Sequence, residues 1–342
     1  MPSVPPSKSS AAAPARGDPS VIVTVTGGAG YVGALLTREL LEAGAGVCVL
    51  DSLLHHQDEV AAQLERDGAR LVRGDVRDES ARAEALDGAD VLVHLAGIVG
   101  DPACIRDPVH SQAVNVDATR AIVGDARRAG VGRVVFASTC SNYGRMGDPT
   151  VPIDERGELR PVSLYAEQKV AAEQMLLDLD QSDLSATCLR FATVYGAAPR
   201  MRFDLTVNEF TRDLWAGRPL EVFGEQFWRP YVHAGDAGRA VALVLRAARA
   251  DVAGQVFNIG DSDENYRKLD LVRLITDHLG RGEVRYVRRD EDPRDYKVSF
   301  EKARCVLGFE PRMRVPDGIA EVVDSLELGA FGDPFDRRYS NI

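Results

Sequence analysis

From Val21 onward, short runs of apolar, β-branched residues alternate with stretches whose apolar positions recur at helical spacing. The runs VIVTVTG, GVCVLD, ARLVRGD, ADVLVHLAG, VGRVVFAS and LSATCLRFATVYG read as strands. YVGALLTRELLEAG reads as a helix ending at Gly44. The strands are apolar at consecutive positions, as when both faces of a sheet are covered. An α/β fold with a doubly wound parallel sheet follows. After Gly196 the texture changes: Pro, Arg and Phe rise in AAPRMRFDLTVNEF and the strand pattern fades. The later pieces YVHAGDAGRAVALVLRAA and GQVFNIG read as a helix and a strand of the main sheet. The expected organisation is a nucleotide-binding domain over 21–196, joined by returning segments at about 231–261. A smaller, discontinuous substrate-binding part covers 197–230 and 262–334.

The 342 residues carry a formal charge of −11, which disfavours nucleic acid and acidic membrane surfaces as partners. No apolar run approaches the ~20 residues of a membrane span. Residues 1–20 are rich in Pro, Ser and Ala without an apolar centre, and read as a disordered tail on a cytoplasmic protein. The five cysteines, Cys48, Cys104, Cys140, Cys188 and Cys305, show no paired spacing. That argues against a disulfide framework and against a metal site.

TGGAGYVG lies between the first strand and the first helix. Glycines at 27, 30 and 33 permit a tight turn and close backbone approach, and the helix N-terminus receives a pyrophosphate. Gly27, Gly30, Tyr31, Val32 and Gly33 are therefore the expected cradle of a Rossmann-type dinucleotide site. Asp51 ends the second strand, where a carboxylate accepts from both ribose hydroxyls and repels a 2′-phosphate, favouring NAD over NADP. Asp75 and Val76 end the third strand at the same sheet edge. They read equally as an adenine contact or as a polar strand-end loop. Tyr165 and Lys169 stand four apart on one helix face. A lysine near a phenol lowers its pKa, so the phenolate can take a proton from an alcohol. Thr139, at the end of the fifth strand, would bond the same substrate oxygen.

With these motifs, the chain resembles an extended short-chain dehydrogenase/reductase of the NAD-dependent nucleotide-sugar epimerase/dehydratase family, from about Val21 to Pro334. The resemblance implies that Leu95, Ala96 and Gly97 line the nicotinamide ribose, that Lys169 also holds that ribose, and that Asn115 belongs to the cofactor side, supporting the sheet. It assigns the substrate's phosphates to Arg229 in WRPYVH and Arg294 in EDPRDYKVS, a role suited to the guanidinium fork. Thr193 stands where many relatives have Asn, and Asn208 is an expected diphosphate or sugar contact. The family also implies a nucleotide-diphosphate sugar as substrate and a homodimer through helices near 109–130 and 162–180.

The segment FASTCSNYG departs from one branch of this family. The 4,6-dehydratases resemble Thr-Asp-Glu-x-Tyr-Gly there, the Asp and Glu being their acid and base. Here Cys140 stands in the Asp place and Ser141 in the Glu place. Serine is no base near neutral pH, so a conventional dehydration lacks a proton-transfer group. Cys140 keeps three readings: a small residue beside the sugar, an acid/base thiol inverting a neighbouring carbon, or the acid of an unusual elimination. The expected function is a nucleotide-sugar epimerase working through a transient 4-keto sugar. A 4-dehydrogenase or ketoreductase is the alternative.

Overall fold

The computed structural model describes residues 21–145, 151–287 and 294–341; the tail expected over 1–20 lies outside them. In chain order the strands are β1 (Ile22–Thr26), β2 (Gly46–Asp51), β3 (Arg70–Arg73), β4 (Val91–His94), β5 (Arg133–Thr139) and β6 (Ser185–Phe191). They continue as β7 (Thr193–Tyr195), β8 (Leu220–Phe223), β9 (Trp228–His233), β10 (Gln255–Ile259), β11 (Asn265–Arg267) and β12 (Val284–Val287). The central sheet has seven strands in the order β10-β6-β5-β4-β1-β2-β3. Every neighbouring pair in it is parallel. The strand order reverses between β1 and β4, which opens a crevice at their carboxyl ends.

The near-continuous apolar runs are explained by the two cores. Val25, Val49, Val93, Val135 and Leu189 face one buried cluster. Their neighbours Leu50, Leu92, Val134, Phe136 and Cys188 face the other. On the first side the helix Ala234–Arg246 crosses the helix Tyr31–Glu42 closely. Gly238 permits this, since a Cβ there would come within 3.3 Å of the Leu36 amide nitrogen.

Two boundaries differ from the sequence reading. LSATCLRFATVYG is not one strand. The Ala192 amide donates to the Ile259 carbonyl (2.9 Å), and the chain then leaves the central sheet. The next residues, β7, pair with β9, which is flanked on its other side by antiparallel β11. Tyr231–His233 thus belong to this three-stranded sheet, not to a helix of the main sheet, and the helix starts at Ala234. β8 and β12 form a further parallel pair where the pattern faded. No helix among the described residues is long and apolar enough to cross a membrane.

Candidate active site

The carboxyl ends of β1 to β5 open onto a cavity of about 580 Å³. One wall is the glycine turn. Gly27 has φ +71°, and a Cβ on it would lie 2.9 Å from the Ala96 amide nitrogen. A Cβ on Gly33 would lie 2.1 Å from the Gly27 carbonyl oxygen, so the helix can start this close to the turn only with glycine there. Gly30, Tyr31 and Val32 complete this wall, and Leu95, Ala96 and Gly97 face it from the end of β4. A Cβ on Gly97 would approach Asn115 Oδ1 to 3.0 Å and Lys169 Nζ to 3.7 Å. This bare backbone beside a helix N-terminus fits a dinucleotide diphosphate.

Asp51 lies on the wall but is almost fully buried. Its Oδ2 accepts from the Ala29 amide (3.0 Å), and its Oδ1 from the Leu53 amide (2.9 Å) and Gln57 Nε2 (3.3 Å). Burial nevertheless pushes its pKa up from the ordinary value. Asp75 and Val76 also face the cavity. The Asp75 carboxylate is gripped by Arg77 at 2.7 Å, and those hydrogen bonds hold its pKa down.

Thr139, Tyr165 and Lys169 line the cavity at its β5 end, where Thr139 closes the strand and the helix carrying Tyr165 holds Lys169 against the Ala137 carbonyl. Thr139 Oγ1 accepts from the Ser141 amide (3.1 Å), capping the turn Cys140–Tyr143 and leaving its own proton to donate. Ser163 caps the helix Leu164–Leu177, which carries Tyr165 and Lys169. Lys169 Nζ donates to the Ala137 carbonyl (2.8 Å) and lies 4.7 Å from the centre of the Phe136 ring. Burial pulls its pKa down to about 8. The Lys169 effect expected for the Tyr165 phenol is opposed by burial. Burial pushes its pKa up, outweighing the opposing Arg202. Behind this end His94 is fully buried, bonded to Thr26 Oγ1 (2.7 Å) and Thr119 Oγ1 (3.0 Å). Burial lowers its pKa to about 3, so it stays neutral at physiological pH.

Thr193, Arg229 and Arg294 also line the cavity. Arg229 Nη1 donates to the Trp228 carbonyl (2.7 Å), and its guanidinium stands 5.4 Å from the Tyr296 ring centre. Arg294 pairs with Asp101 at 2.9 Å.

Three expected site residues are not on the cavity wall. Cys140 is 1 % exposed, and its Sγ donates to the Arg190 carbonyl (3.1 Å) inside the core. The turn it starts aims the thiol away from the sugar end and presents Ser141 instead. Burial also pushes the thiol pKa up, the reverse of what an acid/base thiol needs. Asn115 spends its amide on the Ile98 backbone (2.8 and 3.0 Å) and on Gln168 Oε1 (2.8 Å). It ties the end of β4 to the Tyr165 helix and touches no ligand space. Asn208 is fully buried. Its Oδ1 accepts from the Gly196 amide (2.9 Å), and its Nδ2 donates to Tyr31 Oη (3.0 Å) and the Arg202 carbonyl (2.9 Å). Cys140→Ser is therefore expected to leave turnover intact and to lower stability by about 1 kcal/mol. Steady-state rates and urea unfolding check this; collapsed turnover in a folded variant would return Cys140 to the chemistry.

Sequence reasoning missed Arg200, Arg202 and Tyr296, all on the wall. The two arginines stand in PRMRFD, where charged residues alternate with Met and Phe just past a strand end; that alternation was the available signal. Tyr296 Oη donates to Ser141 Oγ (3.4 Å) at the sugar end, and nothing in its surroundings marks it.

A parallel sheet whose crevice joins a glycine cradle to a Thr-Tyr-Lys group fits a dinucleotide-dependent enzyme. The model of the NAD dependent epimerase/dehydratase family matches residues 23–260, and the chain belongs to that family. It is 30 % identical over 316 residues to a dTDP-glucose 4,6-dehydratase of Streptomyces niveus, covering 88 % of this chain and 91 % of that one. It is 31 % identical over 308 residues to a UDP-glucose 4-epimerase of Mycolicibacterium smegmatis, covering 88 % and 96 %. Its fold superposes on the dTDP-glucose 4,6-dehydratase DesIV of Streptomyces venezuelae, solved with NAD bound. That match has a TM-score of 0.82 at 29 % identity and covers 92 % of this chain and all of the other. The cofactor is NAD.

Proposed function

We propose that the protein is an NAD-dependent nucleotide-sugar epimerase working through a transient 4-keto sugar. One observation carries this reading. The sugar end of the cavity presents Thr139, Ser141, Tyr165 and Tyr296, while the residue in the dehydratase acid's place, Cys140, is turned into the core. Groups for oxidising and re-reducing an alcohol are at hand, whereas the neighbouring acid and base of a dehydration are not. Bound NAD supplies the hydride acceptor and donor at its nicotinamide.

In the loaded complex the positive charges of Lys169 and of oxidised NAD would oppose the burial that keeps the free phenol protonated. As the phenolate, Tyr165 takes the proton of the sugar hydroxyl when the alcohol becomes a ketone, and returns it when the ketone is reduced from the other face. Thr139 donates its remaining proton to the same oxygen. Lys169 supplies a positive charge beside the ribose. Its Nζ stands next to the bare Gly97 backbone and is charged below a pKa of about 8. Arg229 and Arg294 hold the diphosphate, for which Arg294 exchanges the Asp101 carboxylate for a phosphate. The proposal includes a homodimer through the helices Ala118–Arg128 and Leu164–Leu177.

The test is product analysis by mass in deuterated water, with catalytic NAD and a panel of nucleotide sugars. An isomer without carbon-bound deuterium is the expected result, since hydride returns to its own carbon. An isomer carrying deuterium would move the chemistry to a neighbouring carbon. Keto sugar and NADH in equal, stoichiometric amounts would replace the epimerase by a dehydrogenase. Loss of water from the sugar would overturn the reading altogether.

A further inference from the structure

Arg200 is a buried charge with no ion-pair partner among the described residues. It lies on the cavity wall and is 5 % exposed. Its Nε has no hydrogen-bond partner, and no carboxylate lies within ion-pair distance of it among the described residues. Among the described residues its Nη2 reaches only the Ser340 carbonyl, at a long 3.5 Å. Arg202, two residues on, shows the contrast: Asp204 satisfies it through two bonds of 3.1 and 2.6 Å. A guanidinium taken out of water without an anion is strongly unfavourable. A folded chain that keeps one on a ligand-binding wall has a place for an anion of the ligand.

The position of Arg200 says which ligand. The flanking residues Ala198, Met201 and Phe203 pack with Tyr31 and Val32 at the start of the first helix. Arg200 therefore faces the glycine turn from the opposite side of the cavity. Its electrostatic neighbours are Arg202, which opposes it, and Asp204, Asp51 and Tyr31, of which Asp204 is already paired with Arg202. The Asp51 oxygens are already taken by backbone amides and Gln57, so Asp51 does not serve as its partner. The nearest anion that the glycine turn itself receives is the dinucleotide diphosphate.

We propose that Arg200 is a cofactor-binding residue that closes on the NAD diphosphate from the side opposite the glycine turn. The cofactor is then gripped by both halves of the chain: by amides of the first helix and by a guanidinium from the segment after β7. Burial and the adjacent Arg202 pull the pKa of Arg200 down to about 10, as expected of a cation awaiting its anion. The inference rests on the use of NAD and not on which sugar carbon reacts, so failure of the epimerase reading leaves it standing.

The experiment is calorimetric titration of the full chain, freed of resident nucleotide, with NAD, ADP-ribose and UDP. Arg200→Gln is expected to weaken NAD and ADP-ribose alike by about 10- to 100-fold, the range of a charge-assisted hydrogen bond. UDP binding stays as in the wild type. Arg200→Lys, which keeps the charge and loses the fork, falls between the two. It also serves alone if the Gln variant does not fold. Wild-type affinity for ADP-ribose in either variant would overturn the proposal. A loss confined to UDP would also overturn it, by moving Arg200 to the substrate's phosphates.

Discussion

Tyr165→Phe is expected to lower turnover by about 10²- to 10⁴-fold, the usual worth of a positioned acid/base group. The ring still fills its place beside Thr139, and none of the glycine cradle, Asp51 or Lys169 is altered, so NAD affinity is expected to hold. The proposed function assigns the substrate's phosphates to Arg229 and Arg294, elsewhere on the wall, so the loss is expected on kcat and not on KM. In the free protein burial keeps the phenol protonated. The variant thus removes a proton carrier without unbalancing any charge. Turnover on the best nucleotide sugar, paired with NAD titration, checks this. A variant that turns over at the wild-type rate would end the assignment of Tyr165 as acid/base. One that has lost NAD binding would show that the phenol holds the site together and leave its chemistry to another group.

The second large effect is one of stability. Glu173 and Arg190 form an ion pair behind β5 with side chains 2 % and 5 % exposed. Around it, Ser138 Oγ donates to Glu173 Oε2 (2.6 Å), and Asn142 Nδ2 donates to Ser138 Oγ (3.1 Å). Arg190 Nη1 donates to Tyr143 Oη (2.8 Å), which donates to Asn258 Oδ1 (2.7 Å). The network spans β5, β6, β10 and the Tyr165 helix. Glu173→Gln leaves the Arg190 charge uncompensated in the core and is expected to cost about 3–5 kcal/mol in denaturant unfolding. The same variant with Arg190→Met removes both charges and is expected to recover most of the loss. If the single substitution costs under about 1 kcal/mol, the pair is reached by water and the buried-charge argument is wrong.

The strands and the cofactor end were largely legible in the sequence. Val25, Val49, Val93 and Val135 and their apolar neighbours are apolar because each strand is covered on both sides, a constraint that acts residue by residue along the chain. Gly27 and Gly33 were legible for a similar reason, since their neighbours leave no room for any side chain. The directions of the Asn208 and Cys140 side chains were not legible, because side-chain direction is set by partners distant in sequence. Asn208 bonds to Tyr31, and Cys140 to the backbone of Arg190. Periodicity reports which positions are apolar, not which way a polar one turns at a strand end. The division of LSATCLRFATVYG at Ala192 was hidden likewise, because β6 and β7 have the same composition and differ only in their pairing partners.

The Tyr31 phenol has a wider consequence. It belongs to the glycine turn, yet it donates to the Gly196 carbonyl (2.6 Å) and accepts from Asn208 on the helix Thr206–Trp215. One side chain is thus shared by the glycine turn and the helix Thr206–Trp215, whose first residue also lines the cavity. A shared constraint has no preferred direction. Whatever substrate binding does to NAD affinity through this phenol, NAD does to substrate affinity by the same factor. On the proposed epimerase reading, a coupling of favourable sign would let the oxidised sugar and the reduced cofactor prolong each other's residence until the second hydride step is complete.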